Sequence, residues 1–171
     1  GWARQDSIIQ VVRTWQRSGL PESEERIQRL MRVVVESPYE RIHFLHDSME
    51  AWVNSDWDLA PEVVEKMLEW SFTGMDNYNC RPTGQTFMIA IKGWLRSKRD
   101  GAPYRAELIL QKLVQIYDQG RDSYYRPREI HLRYVITAWM NRCEDGRRYY
   151  GLAGNNMYPA EHVEGLLALY G

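Results

Sequence analysis

Cationic and aromatic side chains gather in two short stretches of this sequence. Lys92, Arg96, Lys98 and Arg99 fall within "IKGWLRSKR", and Arg126, Arg128 and Arg133 follow the adjacent pair Tyr124 and Tyr125 in "DSYYRPREIHLR". On a helix, the i, i+4, i+7 spacing of Lys92, Arg96 and Arg99 sets them on one stripe. Such a stripe suits the phosphates of a nucleic-acid strand, and exposed tyrosines stack on unpaired bases. A stripe of this kind is equally the solvated face of a helix, and two tyrosines equally pack a loop onto a fold. At this point both readings stand.

Other chemistry finds little support. His43 and His46 have a helical metal-compatible spacing, yet no carboxylate or cysteine follows in a zinc-ligand pattern. Cys80 and Cys143 lack a CxxC partner, which excludes a zinc ribbon, and two cysteines do not frame a disulfide scaffold. A reducing compartment is the expectation. Glu22, Glu24, Glu25 and Glu62 stand at helix starts, where the helix dipole accounts for them. No phosphate-binding loop, nucleophile elbow or dinucleotide fingerprint occurs, so neither an enzyme nor a cofactor or metal site is expected.

The elements that position the cations come from a repeat. Ile8, Val11, Val12 and Trp15 share an i, i+3, i+4, i+7 spacing with Leu45, Ser48, Met49 and Trp52. Phe87, Ala90, Ile91 and Trp94 repeat it, as do Leu132, Val135, Ile136 and Trp139. That is one apolar helix face met four times, with a tryptophan at the same place in each. A second face of the same spacing follows: Ile27, Leu30, Met31 and Val34, then Val64, Met67, Leu68 and Ser71, then Ala106, Ile109, Leu110 and Leu113. Each of these begins 12 residues after its tryptophan. The fourth copy, Val163, Leu166, Leu167 and Tyr170, comes 24 residues on, after a Gly- and Asn-rich stretch that reads as a loop insertion. Pro21, Pro61, Pro103 and Pro159 mark the starts of the second helices.

The spacing therefore predicts an all-α chain, a right-handed superhelical array (α-solenoid) of about four helix–turn–helix units over roughly 4–38, 39–80, 81–125 and 126–171. The tryptophans are expected in its core. No stretch approaches 18 apolar residues, so no membrane span is predicted. The chain begins at Gly1 with no charged-then-apolar leader, which reads as a processed protein or an excised fragment. A net charge of -1 conceals a split. Residues 1–80 carry 8 Lys/Arg and 14 Asp/Glu (-6), 81–150 carry 14 and 7 (+7), and 151–171 carry two Glu (-2). The excess of cations suggests a basic surface confined to the middle and later part of the chain, with uneven scatter of solvated charge as the alternative.

The stretches "VVRTWQRSGLPESEERIQRLM", "RPTGQTFMIAIKGW" and "YRPREIHLRYVITAW" resemble the pentatricopeptide repeat family. Pro82, Thr86 and Phe87 match its joint between repeats, while the later joint keeps Arg126 and Pro127 but lacks the Thr-Phe pair. The loops "TGMDNYNCRP" and "QGRDSYYRP" are longer than that family's repeat requires. The resemblance implies single-stranded RNA as partner, in a mitochondrion or plastid, with each repeat reading one base through a residue of its first helix and its last residue. Carried onto this chain, those pairs are Ile9 with Arg41, His46 with Thr83, and Met88 with Arg128, and Arg133 stands without a partner. Ile9 and Met88 offer no directional hydrogen bond, so little base selectivity is expected. RNA binding then rests on Lys92, Arg96, Arg99, Arg128 and Arg133, with His46, Thr83 and Met88 facing the bases. The alternative is a protein-interaction scaffold within a larger ribonucleoprotein or enzyme assembly, which the acidic first half favours.

Overall fold

The computed structural model describes residues 42–54, 58–73, 81–143, 149–150, 156–157 and 159–170, with scattered positions between 7 and 30. Across these ranges run six helices: α1 (Ile42–Val53), α2 (Ala60–Thr73), α3 (Gly84–Arg96), α4 (Ala102–Gly120), α5 (Glu129–Cys143) and α6 (Pro159–Tyr170). Proline stands at or beside the first residue of α2, α4 and α6 (Pro61, Pro103, Pro159), where its missing N–H would be unsatisfied anyway. Pro21 lies outside the described residues. The chain forms two compact units, 1–89 and 90–171, and the division falls inside α3.

In the first unit α1 and α2 pack as a hairpin. The spaced residues Leu45, Ser48, Met49 and Trp52 of α1 are all buried, as are Val64, Met67, Leu68 and Ser71 of α2. Ser71 tolerates this because its hydroxyl donates to the Leu68 carbonyl at 2.6 Å. Phe72 meets Phe87 edge-on, with ring centroids 5.9 Å apart. The start of α3 is a joint made of three side chains. Thr86, fully buried, accepts the backbone N–H of Thr83 at 2.9 Å, so the third residue of the helix reaches back to its cap. The same hydroxyl is hydrogen-bonded to His46 Nε2 at 2.9 Å, which fastens α1 to the start of α3.

In the second unit α4 packs on α5, and α5 on α6. Ala106, Ile109, Leu110 and Leu113 are buried, together with Ala90, Ile91, Trp94, Val135 and Trp139. The start of α5 repeats the joint 45 residues later with a different side chain. His131, also fully buried, accepts the Arg128 N–H on Nδ1 at 3.0 Å, where Thr86 serves in α3. The Thr-Phe pair missing from the second joint is thus replaced, at the capping position, by an imidazole.

A carboxylate joins three helices here. Glu107 of α4, 6% exposed, accepts from Gln111 Nε2 at 3.1 Å and from the Trp139 indole N–H of α5 at 3.1 Å. His162 Nε2 of α6 lies 2.5 Å from the same carboxylate oxygen as the indole. The His162 ring also rests against Trp139, centroids 4.5 Å apart.

Two expectations change. The insertion before α6 is more than loop: Tyr149–Tyr150 pairs antiparallel with Asn156–Met157. The outer copies of the apolar template also keep surface that the middle copies bury. Val11 is 41% and Leu167 50% exposed.

Removing the Glu107 side chain leaves a buried indole N–H without an acceptor. Glu107→Ala is expected to cost about 3 kcal/mol in urea unfolding. In a double-mutant cycle with Trp139→Phe, a coupling of about 1 kcal/mol or more is expected, and strict additivity would disprove the shared bond.

Candidate nucleic-acid interface

The connection from α4 to α5 places most of the cations. Helix α4 ends at Gly120 and is capped by Arg121, whose φ of 51° is left-handed and whose N–H donates to the Tyr117 carbonyl at 2.6 Å. An arginine in that conformation carries a cost of about 1–2 kcal/mol that glycine would avoid. Its guanidinium is held in place by Asp118 at 3.7 Å and by the Tyr117 ring, 5.4 Å from the centroid. A 3-10 turn, Ser123–Tyr125, comes next, and Asp122 accepts the Tyr124 N–H at 3.0 Å to cap it.

The turn separates the two tyrosines that stand together in the sequence. Tyr125 is 2% exposed and pins the turn to the core, whereas Tyr124 is 64% exposed. Packing of the loop onto the fold thus describes Tyr125, and Tyr124 is left on the surface. Arg126 and Arg128 beside it are exposed, as is Arg133 in the second turn of α5. Among the described residues these three arginines meet no carboxylate. An exposed ring on an anchored turn, flanked by unneutralised guanidinium groups, can stack one base and hold the adjoining phosphates.

The stripe expected along α3 is shorter than its spacing suggested. Lys92 is half-buried and Arg96 exposed, but the helix stops at Arg96, where the Ser97 N–H turns back to the Trp94 carbonyl at 3.0 Å. Arg99 is exposed in the following turn and shares no helical stripe with them. The i→i+3 bond from Ser97 closes the last turn of the helix before the periodicity can continue.

The expected base-facing residues fare differently. His46 and Thr83 do come together, but through Thr86, so their polar groups serve the joint between α1 and α3. Thr83 Oγ1 lies 3.5 Å from Thr86 Oγ1. Met88 is half-buried on α3. Ile9 and Arg41 lie outside the described residues. Of the histidine pair, His46 turns to Thr86, and the described residues include no cluster of three or more metal-ligating side chains. The side chains of His43, Cys80 and Cys143 lie outside the described residues. No described helix is long and apolar enough to cross a membrane.

No sequence pattern marks Arg105, whose guanidinium lies 5.7 Å over the Trp94 ring, or the Glu107–Trp139–His162 cluster. Arg105 follows Trp94 by 11 residues across a helix break, so no single-helix spacing links them. Compared with protein-family models, curated proteins and solved structures, the chain has no match in any of the three.

The contrast between the tyrosines is directly measurable. Tyr125→Ala is expected to cost about 3–5 kcal/mol of unfolding free energy, as loss of a buried aromatic does. Tyr124→Ala should stay within about 0.5 kcal/mol of the parent. Equal losses for both would place Tyr124 in the core.

Proposed function

We propose that the chain is a pentatricopeptide-repeat-like array of helical hairpins that binds single-stranded RNA through its later helices, in mitochondrial or plastid RNA processing, stability or translation. One observation carries this reading: the turn between α4 and α5 exposes Tyr124 among Arg126 and Arg128 while Tyr125 anchors it. Protein-facing surfaces also use tyrosine and arginine, but three exposed arginines that form no ion pair among the described residues favour a polyanion.

The recurrence of the capped joint supports the repeat half of the proposal. Thr86 and His131 accept the N–H of the residue three before them at the same place in successive hairpins. Base selectivity is expected to be shallow, because His46 and Thr83 serve that joint and Met88 is apolar. RNA is then held by phosphates and by stacking, both indifferent to sequence.

A second reading, a protein-interaction scaffold, draws on the charge of -6 over residues 1–80. A polyanion avoids such a surface, so a partner protein on the first unit is compatible with RNA on the second.

The test is fluorescence anisotropy of a mixed-sequence single-stranded RNA across a range of salt. An Arg126→Ala, Arg128→Ala, Arg133→Ala variant should lower the slope of log affinity against log salt by about 2, given about 0.7 per phosphate lost. Tyr124→Ala should weaken binding about tenfold while the slope holds. Absence of salt-dependent binding by the parent chain would remove RNA and leave the scaffold.

A further inference from the structure

A cleft of about 380 Å³ opens in the second unit where α3 ends, between residues 94–98, the start of α4 and the later turns of α5. Building on the RNA-binding reading, we propose that this cleft receives one unpaired nucleotide of the bound strand. Its volume sits at the lower end of the roughly 300–1,000 Å³ typical of ligand pockets, which suits one flat heterocycle with its sugar.

The lining divides by chemistry in the way a nucleotide requires. Leu95, Ala102, Pro103 and Ala138 give apolar walls, and Trp94, 5% exposed, underlies them. Asn141 is exposed at the mouth, and its amide presents an acceptor beside donors, the pattern that base edges pair with. Arg96 and Lys98, both exposed, supply cations for the phosphate, and among the described residues none that lines the cleft is acidic. The rim is held by its own backbone: Ser97 N–H donates to the Trp94 carbonyl at 3.0 Å and Ala102 N–H to the Arg99 carbonyl at 3.1 Å. A mouth already ordered loses little entropy on binding.

The cleft also lies on a path from the arginines. Arg133, Thr137 and Asn141 recur every four residues and share one stripe of α5. Eight residues of helix span about 12 Å, so a strand held at Arg133 can follow this stripe to the cleft. The site is at the end of the first helix of its hairpin, away from the helix start where the pentatricopeptide resemblance would place base reading.

Photocrosslinking tests the cleft separately from RNA binding. A mixed-sequence RNA carrying 4-thiouridine at each position in turn is irradiated on the parent chain, and the adducts are mapped by peptide. Adducts are expected in 94–98 as well as at Tyr124. Asn141→Trp fills the mouth from an exposed position, and Lys98→Glu reverses a phosphate contact. Each should reduce the 94–98 adducts about tenfold and leave those at Tyr124, with the helical circular dichroism unchanged. Adducts at Tyr124 without any in 94–98, or 94–98 adducts indifferent to both variants, would overturn the cleft and leave RNA binding standing. No adducts together with no salt-dependent binding would overturn both.

Discussion

The Glu107 carboxylate sets the geometry of the second unit, because it is buried and its charge must be answered by donors. Gln111 answers from its own helix, Trp139 from α5 and His162 from α6. The indole N–H points at Glu107 only if α5 is rotated so that Trp139 faces α4. That rotation decides what the opposite side of α5 displays. Arg133 and Asn141 are exposed on it, and the path from the arginines to the cleft follows from where one indole must point. Apolar packing alone would tolerate several rotations of a helix whose apolar stripe is broad. A hydrogen bond of fixed direction selects one.

The helix starts impose a similar constraint nearer the backbone. An α-helix leaves its first N–H groups unpaired, and a buried start needs acceptors. In this chain the third residue of the helix supplies one and the residue before the helix receives it, with threonine in α3 and histidine in α5. The first of these joints also takes in His46, so a side chain expected to face a base instead ties two helices together. Exposed chemistry is thereby left to positions the joints do not need: the end of α3, the turn before α5 and the outer stripe of α5.

Helices were legible in the sequence because their signal is local. A tryptophan at the end of an i, i+3, i+4, i+7 run, with proline at the next helix start, depends only on neighbours within a turn or two. Trp52, Trp94 and Trp139 are accordingly buried. Glu107 gave no such signal, since its partners lie 32 and 55 residues away and a glutamate beside an apolar run reads as surface. His131 was hidden for a different reason: a motif search asks for threonine, whereas the backbone asks only for an acceptor. The fate of Tyr124 and Tyr125 was set by a three-residue turn that no periodicity resolves. The reach of the α3 stripe failed at Arg99 because periodicity extrapolates a helix past Arg96, where the Ser97 N–H turns back to the Trp94 carbonyl.

Hydrogen–deuterium exchange of the chain with and without single-stranded RNA at low salt tests the central claim most directly, since it reports every segment at once. Binding through the later helices predicts slower exchange over 121–133 and around 96–102, with α1 and α2 unchanged. Protection confined to α1 and α2, or no change anywhere at RNA concentrations that saturate a basic surface, would contradict it.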